Sequence, residues 1–178
     1  MASQLGVSSN TVRSWLSILE QSYVVCLLQP YYSNVKKRLI KTPKVYFYDT
    51  GLLCSILPFE SVAELTQDQY LGPVFENAVI SEQLKAHVNN GRKPELYFYR
   101  DSNGVEVDLV EATDRRNVEL VEIKTSMAYR SSFLRHLNSV GEKLGIDCDH
   151  RFVVMRSESA TSVAGASVLP VSEWVLSE

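Results

Sequence analysis

The chain of 178 residues has the length of one large domain or two small ones, and its apolar share of 45% and charged share of 22% are usual for soluble globular proteins. No apolar stretch is long enough to cross a membrane and the polar N-terminus lacks a signal peptide, so we expect a cytoplasmic protein without membrane contact. The net charge of −3 excludes a uniformly basic nucleic-acid-binding protein, and scattered cysteines and histidines argue against disulfides and a zinc site.

The first 50 residues predict the layout of a winged helix-turn-helix. Residues 2–21 contain a short helix, a break at Gly6 and a longer helix. Four residues at helical spacing form the apolar stripe of the longer helix: Val12, Trp15, Leu16 and Leu19. The β-rich runs YVVCLLQPYY and VYFYD flank the basic connection SNVKKRLIKTPK, which gives a hairpin with a basic tip. The usual first helix of such a unit is missing, so we expect that it comes from elsewhere or that the chain is a fragment.

Six polar residues of this part are candidates for contact with DNA. They are Asn10, Thr11 and Arg13 on the longer helix, and Lys36, Lys37 and Arg38 at the basic tip. One arginine is little for reading base edges, whereas the basic tip suits the phosphate backbone, which positions a protein without specifying sequence. Two alternatives stay open: this part packs against another protein domain, and the basic tip is a solvated turn.

From residue 72 onward the sequence alternates between helical and strand periodicity, after a connection at 51–71. The elements are a helix at 72–90, strands at 95–100, 104–112 and 118–125, a helix at about 130–144 and a strand at 150–156. The last strand must return beside the others after a helical crossover. The order α-β-β-β-α-β therefore predicts an α/β domain over 72–178, with a mixed sheet flanked by helices.

Four polar residues in these elements point to metal-dependent cleavage of phosphodiesters: Glu76, Asp108, Glu122 and Lys124. Alternation places Glu122 and Lys124 on one face of their strand, and Asp108 projects from the strand before it. Carboxylate oxygens suit Mg²⁺ or Mn²⁺, and an ammonium offsets negative charge in the transition state. We therefore expect Asp108 and Glu122 to hold a metal ion. Glu106 shares the strand face of Asp108 and is either a further ligand or a surface acid.

The order of these elements and the placement of their polar residues resemble the PD-(D/E)XK nuclease superfamily, with its restriction-endonuclease-like fold. The likeness is carried by Glu76 in VFEN, Asp108 in EVDL, and Glu122 with Lys124 in EIK. The resemblance implies that Asp108 and Glu122 hold magnesium and that Glu76 helps to hold the metal or its water shell. It also implies that Lys124 positions or activates the water and stabilises the developing phosphorane. All four are candidate catalytic residues.

More narrowly, the chain resembles the C-terminal region of bacterial and archaeal AAA-type ATPases, a domain of unknown function that follows the ATPase module. The matching stretches are SQLGVSSNTVRSWLSILEQSYVV, KRLIKTPKVYFYDTGLL, GPVFENAVISE, YFYRDSNGVEVDLV and VEIKTS. The resemblance implies an upstream AAA-type ATPase domain as partner, and a winged-helix part (1–50) fused to a nuclease-like domain (72–178). The P-loop string GxxxxGK[ST] does not occur in the sequence, so we expect no ATP site in this chain.

Two functions follow from these patterns. The first is a Mg²⁺-dependent DNA nuclease that works with an AAA-type ATPase. The second is a non-catalytic, nuclease-like DNA- or protein-binding module that serves an ATPase, in which the acids and the lysine form a structural ion network. Metal affinity separates the two, because a cation that binds only the folded nuclease raises its stability. Arg100, at a strand end, is open between a phosphate contact and a role in the hairpin.

Overall fold

The computed structural model of the protein describes residues 6–31, 42–114 and 117–176. The N-terminal elements are α1 (Ser9–Gln21), β1 (Val25–Pro30), β2 (Lys44–Phe47), α2 (Thr50–Ser55) and α3 (Val62–Gln67). The central elements are α4 (Leu71–Asn89), β3 (Leu96–Arg100), β4 (Glu106–Asp114) and β5 (Asn117–Lys124). The C-terminal elements are α5 (Leu134–Leu144), β6 (Arg151–Met155), β7 (Thr161–Val163), β8 (Ala166–Pro170) and α6 (Val171–Leu176). Within these ranges, none of the helices is both long and apolar enough to cross a membrane.

The strands of the described ranges form one eight-stranded mixed sheet in the order β2-β1-β3-β4-β5-β6-β8-β7. The pairs β1–β3, β5–β6 and β6–β8 are parallel, and the other pairs are antiparallel. This architecture confirms the predicted α/β class with a mixed sheet and flanking helices. The order α-β-β-β-α-β is observed from α4 to β6, since α5 provides the crossover from β5 to β6. The sequence pattern did not predict the hairpin β7–β8.

The N-terminal hairpin β1–β2 belongs to the same sheet as the later strands. Gln29 pairs with Tyr97 and Pro30 with Phe98, so β1 runs parallel to β3. The sheet therefore continues across residue 50, where the sequence analysis placed the end of the winged-helix-like part. The connection expected at 51–71 begins with a short helix that the sequence predicts at DTGLLCSIL, and α2 is observed there. The structure adds the short helix α3 in the same region.

Helices pack on both faces of the sheet, and an apolar core lies on each face. The core on the face of α4 and α6 contains Ile80, Phe98, Leu109, Val121, Val154 and Trp174. The core on the face of α5 contains Tyr99, Val107, Leu120, Leu137, Val140 and Val153. Alternation along each strand explains this division, because successive side chains point to opposite faces of a sheet. The strands β4 and β5, which carry Asp108, Glu122 and Lys124, thus lie between the two apolar cores.

Strand β4 carries one extra residue where it passes β3. Tyr97 pairs with Val110 and Tyr99 pairs with Val107, so two steps along β3 face three steps along β4. Asp108 lies in this bulge. A bulge bends its strand and redirects the side chains within it. Here the carboxylate of Asp108 reaches the backbone of β5, where Oδ2 accepts a hydrogen bond from the Ile123 N–H at 2.9 Å.

Helix α1 leaves much of its predicted apolar stripe uncovered by the described residues. Val12 and Leu16 are half-buried, whereas Trp15 is 49% exposed. Ile18, in the last turn of the helix but outside the predicted stripe, is 62% exposed, and Tyr23, just after the helix, is 75% exposed. The helix thus packs against β1 with a narrow apolar edge and presents the rest of its apolar surface outward.

Candidate functional site

Three of the four predicted catalytic residues lie together where β4 and β5 run side by side. Lys124 Nζ is 2.5 Å from Glu122 Oε1 and 3.8 Å from Asp108 Oδ2. The bulge brings Asp108 to this point from β4, while alternation along β5 sets Glu122 and Lys124 two residues apart on one face. The result is a close group of two carboxylates and one ammonium.

Glu76, the fourth predicted residue, lies beside this group but binds side chains from the N-terminal hairpin. Its Oε1 accepts hydrogen bonds from Lys44 Nζ at 2.9 Å and from the Tyr46 hydroxyl at 2.5 Å. Lys44 Nζ is also 2.6 Å from Glu106 Oε1. Lys44 therefore lies between the acid of α4 and the first acid of β4.

Glu106 completes the cluster by pairing with Arg100 across the β3–β4 hairpin. Arg100 Nε donates to Glu106 Oε2 at 2.7 Å, and Arg100 Nη2 donates to Glu106 Oε1 at 2.7 Å. Glu106 thus contacts two cations, and Arg100 forms a bidentate ion pair within the hairpin.

The surroundings of the two predicted metal ligands disfavour their ionised carboxylates, which an additional positive charge would stabilise. Burial and, after it, the charge of Asp108 raise the pKa of Glu122 to about 7, although Lys124 opposes the rise. Burial also raises the pKa of Asp108, with the charge of Glu76 as the second cause and Lys124 again opposing. Glu122 Oε2 is buried and has no hydrogen-bond partner among the described residues. A buried carboxylate oxygen without a partner is a costly arrangement that a bound cation or water would relieve.

The lysines of the cluster are held as ammonium ions. Burial alone would lower the pKa of Lys124, but Asp108 and Glu122 outweigh burial and raise it. Burial is likewise the largest influence on Lys44, and the carboxylates of Glu76 and Glu106 outweigh it and raise the pKa of Lys44. Both side chains therefore act as positive charges at neutral pH, and neither is suited to accept a proton.

A buried asparagine joins the helix that carries Glu76 to the hairpin that carries Lys44. Asn77 is 2% exposed, and its amide binds both the N–H and the carbonyl of Phe47 on β2. It also donates to Thr50 Oγ1 at 3.0 Å. Because Asn77 follows Glu76 directly, this connection fixes the neighbouring carboxylate beside Lys44.

The donor set suits a hard divalent cation held by few protein ligands. Asp108 and Glu122 supply carboxylate oxygens, and Glu122 Oε2 is unpartnered in the described ranges. Over the same ranges, no group of three or more His, Cys, Asp or Glu side chains is placed so that it could hold a metal ion. Mg²⁺ commonly keeps several waters and binds through one or two carboxylates, so this pair fits Mg²⁺ better than a cation that needs many protein oxygens.

The residues predicted to contact DNA lie apart from the acid cluster or outside the described ranges. Asn10 and Arg13 are exposed on α1. Thr11 belongs to the start of the helix, where its N–H and hydroxyl both bind the N-cap residue Ser8. Lys36, Lys37 and Arg38 lie outside the residues that the structure describes.

Sequence reasoning missed Lys44 and Tyr46 as members of the cluster. The signal was available, because Lys44-Val45-Tyr46 has the same alternation as Glu122-Ile123-Lys124 and puts two polar side chains on one face of a strand. Nothing in the local pattern indicates that this strand faces Glu76. That proximity depends on the parallel pairing of β1 with β3 and on the Asn77 connection.

Residues 71–174 match a protein family described as "Domain of unknown function (DUF4143)". The chain belongs to this family. Residues 1–63 match a second family, described as "Domain of unknown function (DUF8612)". The hairpin that supplies Lys44 and Tyr46 therefore falls in one matched region, and the acids fall in the other.

Two curated mycobacterial proteins are similar to the chain. They are the uncharacterized proteins Rv2008c of Mycobacterium tuberculosis and Mb2031c of Mycobacterium bovis, each 36% identical over 116 residues. The alignments cover 65% of this chain and 25% of each relative, so the chain spans about a quarter of their length. No solved structure matches the chain.

Proposed function

We propose that the protein is a divalent-metal-dependent nuclease that hydrolyses DNA phosphodiesters, with a PD-(D/E)XK-type site. The observation that carries this proposal is the pair of half-buried Asp108 and buried Glu122, with Lys124 beside it and one carboxylate oxygen of Glu122 left unpartnered in the described structure. Bringing two acids together away from water costs stability unless a cation compensates their charge, and such arrangements are concentrated at functional sites. A Mg²⁺ or Mn²⁺ ion on these oxygens would supply Lewis-acid polarisation of a phosphate oxygen and lower the pKa of water.

The proposed role of each residue follows from its charge. Asp108 and Glu122 would hold the metal, and the hydrogen bond from the Ile123 N–H keeps Asp108 in place. Lys124 is an ammonium ion, so its role is to orient the attacking water and to stabilise negative charge on the phosphorane rather than to remove a proton. Glu76 is fixed by Lys44 and Tyr46 and would bind the outer waters of the metal.

The association with an AAA-type ATPase belongs to the same proposal. It rests on the resemblance of the chain to the C-terminal region of such ATPases. The relatives leave room for further domains, because about three quarters of each lies outside the matched region. In this arrangement the ATPase would act on DNA, and the present chain would cut it.

The decisive experiment compares metal binding and DNA cleavage in the same preparations. Mn²⁺ is titrated by calorimetry into the wild-type protein, Asp108→Ala and the surface control Glu82→Gln, and plasmid and oligonucleotide DNA are then incubated with Mg²⁺, Mn²⁺ or a chelator. We expect saturable binding in wild type and Glu82→Gln, loss of binding in Asp108→Ala, and at least a roughly 100-fold loss of cleavage in that variant and in Lys124→Met. Cleavage by folded Asp108→Ala at the wild-type rate would refute the assignment.

A second candidate function is a non-catalytic module that docks an ATPase onto DNA or protein. The exposed apolar surface of α1, with Trp15 and Ile18 about half or more exposed, favours this reading. Under it, Lys124 and Lys44 neutralise the acids permanently and no metal is needed. Folded wild-type protein that binds neither Mn²⁺ nor Mg²⁺ and cuts no DNA would support the module and exclude the nuclease.

A further inference from the structure

We propose that Lys44 and Arg100 form a binding site for one backbone phosphate of the nucleic acid, and that the carboxylate of Glu106 occupies this site in the free protein. The inference deepens the proposed function, because it assigns the substrate's anion to a particular side of the acid cluster. Three contacts join Glu106 to the two cations: 2.6 Å from Lys44 Nζ, and 2.7 Å each from Arg100 Nε and Nη2.

The geometry of this carboxylate is the geometry in which proteins hold phosphate. The guanidinium of Arg100 presents two parallel N–H groups to two oxygens of one group, a fork that binds carboxylate and phosphate alike. Lys44 adds a point charge on one of those oxygens. An anion of two or more oxygens can therefore replace Glu106 without a change in the positions of either cation.

Both cations contact the same aromatic ring. Lys44 Nζ is 5.5 Å and Arg100 Cζ is 5.9 Å from the ring centroid of Phe98, which is fully buried. A cation over an aromatic face is attracted by the ring quadrupole. Phe98 thus attracts both cations independently of Glu106.

Lys44 also keeps its position if Glu106 moves away. Its Nζ remains 2.9 Å from Glu76, which the Tyr46 hydroxyl holds in turn. The site is accessible to a ligand, since the Arg100 side chain is 36% and the Glu106 side chain 26% exposed. Lys44 and Glu76 also line a cavity of about 290 Å³.

The net charge of the cluster determines whether a phosphate can replace the carboxylate of Glu106. Fully ionised, the four acids Glu76, Glu106, Asp108 and Glu122 exceed the three cations Lys44, Arg100 and Lys124 by one charge. A phosphate is disfavoured in this state. A divalent cation on the acids reverses the sign, so anion binding at Lys44 and Arg100 is expected to depend on metal unless Glu106 is neutralised.

The test is DNA binding without cleavage. Wild type, Glu106→Gln, Arg100→Gln and Lys44→Met are each titrated into a short fluorescein-labelled DNA duplex. Binding is measured by fluorescence anisotropy in the presence of a chelator, at a series of salt concentrations. Glu82→Gln makes the same change of charge on an exposed part of α4 and is the matched control. Circular dichroism verifies that each variant is folded. Arg100 is only half-buried, so Arg100→Gln keeps the test available if Lys44→Met does not fold.

We expect Glu106→Gln to bind the duplex about fivefold more tightly than Glu82→Gln. Its plot of log affinity against log salt should be steeper by about one unit for each phosphate contact that the freed cations make. Adding Arg100→Gln to Glu106→Gln should remove the gain. Equal affinities and equal salt slopes for Glu106→Gln and Glu82→Gln would overturn the inference.

These results are independent of whether the protein cuts DNA. If Glu106→Gln gains affinity but no metal supports cleavage, the phosphate site stands and the nuclease proposal fails. If wild type cuts DNA and Glu106→Gln behaves like Glu82→Gln, the nuclease stands and Glu106 is a structural ion-pair partner only.

Discussion

The side-chain amide of Asn77 binds the backbone of Phe47 at both of its polar groups. Oδ1 accepts from the Phe47 N–H at 2.7 Å, and Nδ2 donates to the Phe47 carbonyl at 3.1 Å. The asparagine thus acts as an additional hydrogen-bonding neighbour of strand β2, supplied by helix α4. Through this contact, Glu76 is placed against the lysine and the tyrosine of the same strand.

Replacing Asn77 by alanine is expected to lower the free energy of unfolding by about 2–4 kcal/mol, because the buried side-chain amide is lost and two half-buried backbone groups of Phe47 lose their partner. Urea unfolding measures the change. Asn89→Ala, at the exposed end of the same helix, is the control and should stay within about 0.5 kcal/mol of wild type. A loss in Asn77→Ala no larger than in Asn89→Ala would mean that the contact does not hold the hairpin.

When no metal is present, Glu122→Gln is expected to make the stability of the protein less sensitive to a rise in pH from about 5 to about 8. The folded protein holds a proton on Glu122 up to about pH 7, whereas the ordinary pKa is 4.5. Because the raised pKa favours folding only while the group is protonated, this contribution is complete below about pH 4.5 and is lost as the pH rises through 7. Melting temperatures in a chelator should therefore fall more between pH 5 and pH 8 in wild type than in Glu122→Gln. The exposed Glu82→Gln should follow wild type, and parallel curves for all three proteins would contradict the prediction.

Gly141→Ala is expected to destabilise the protein although alanine is the better helix former. A Cβ at Gly141 would clash with Arg151 Nε, which belongs to a buried guanidinium that binds the Ile146 carbonyl. Overpacking of this kind costs about 1–3 kcal/mol. Gly72→Ala is the matched control, since nothing lies within 4 Å of its Cβ, and it should gain up to about 1 kcal/mol from helix propensity. Thermal unfolding of both variants should shift in opposite directions; a shared direction would show that Arg151 moves aside.

Cys148 is expected to react with iodoacetamide well before Cys26. Cys148 is exposed, whereas Cys26 is half-buried in β1. Burial raises the pKa of the Cys26 thiol to about 11, so little thiolate is available at neutral pH. Peptide mass spectrometry should show that Cys26 labelling remains slow at pH 8 and accelerates toward pH 11. In urea the two thiols should label alike, and equal rates in the folded protein would contradict the buried position of Cys26.

The local parts of the fold were predictable because their periodicities are strong and their partners are close in sequence. The helix expected at 72–90 is observed as Leu71–Asn89, and the strand expected at 118–125 is observed as Asn117–Lys124. Asp108 could be expected near Glu122, because two strands joined by a short turn pair with each other.

The remainder of the cluster depends on features that have no local pattern. The extra residue in β4 that redirects Asp108 follows from pairing with β3 and leaves no turn signal or glycine in the strand. The approach of Lys44 to Glu76 requires a parallel pairing between strands that are far apart in sequence. Such contacts are selected by the packing of the whole sheet and cannot be read from a window of residues.

The position of β3 between β1 and β4 has a consequence for any shortened form of the protein. The two family matches, at residues 1–63 and 71–174, suggest dividing the chain between them. In a piece that starts at residue 71, however, β3 would lack its parallel neighbour β1. An interior strand would become a bare edge beside the aromatic run Tyr97-Phe98-Tyr99, and exposed apolar edges of this kind pair with other molecules. Such a piece is expected to aggregate, so its inactivity would say nothing about the chemistry of the acids it retains.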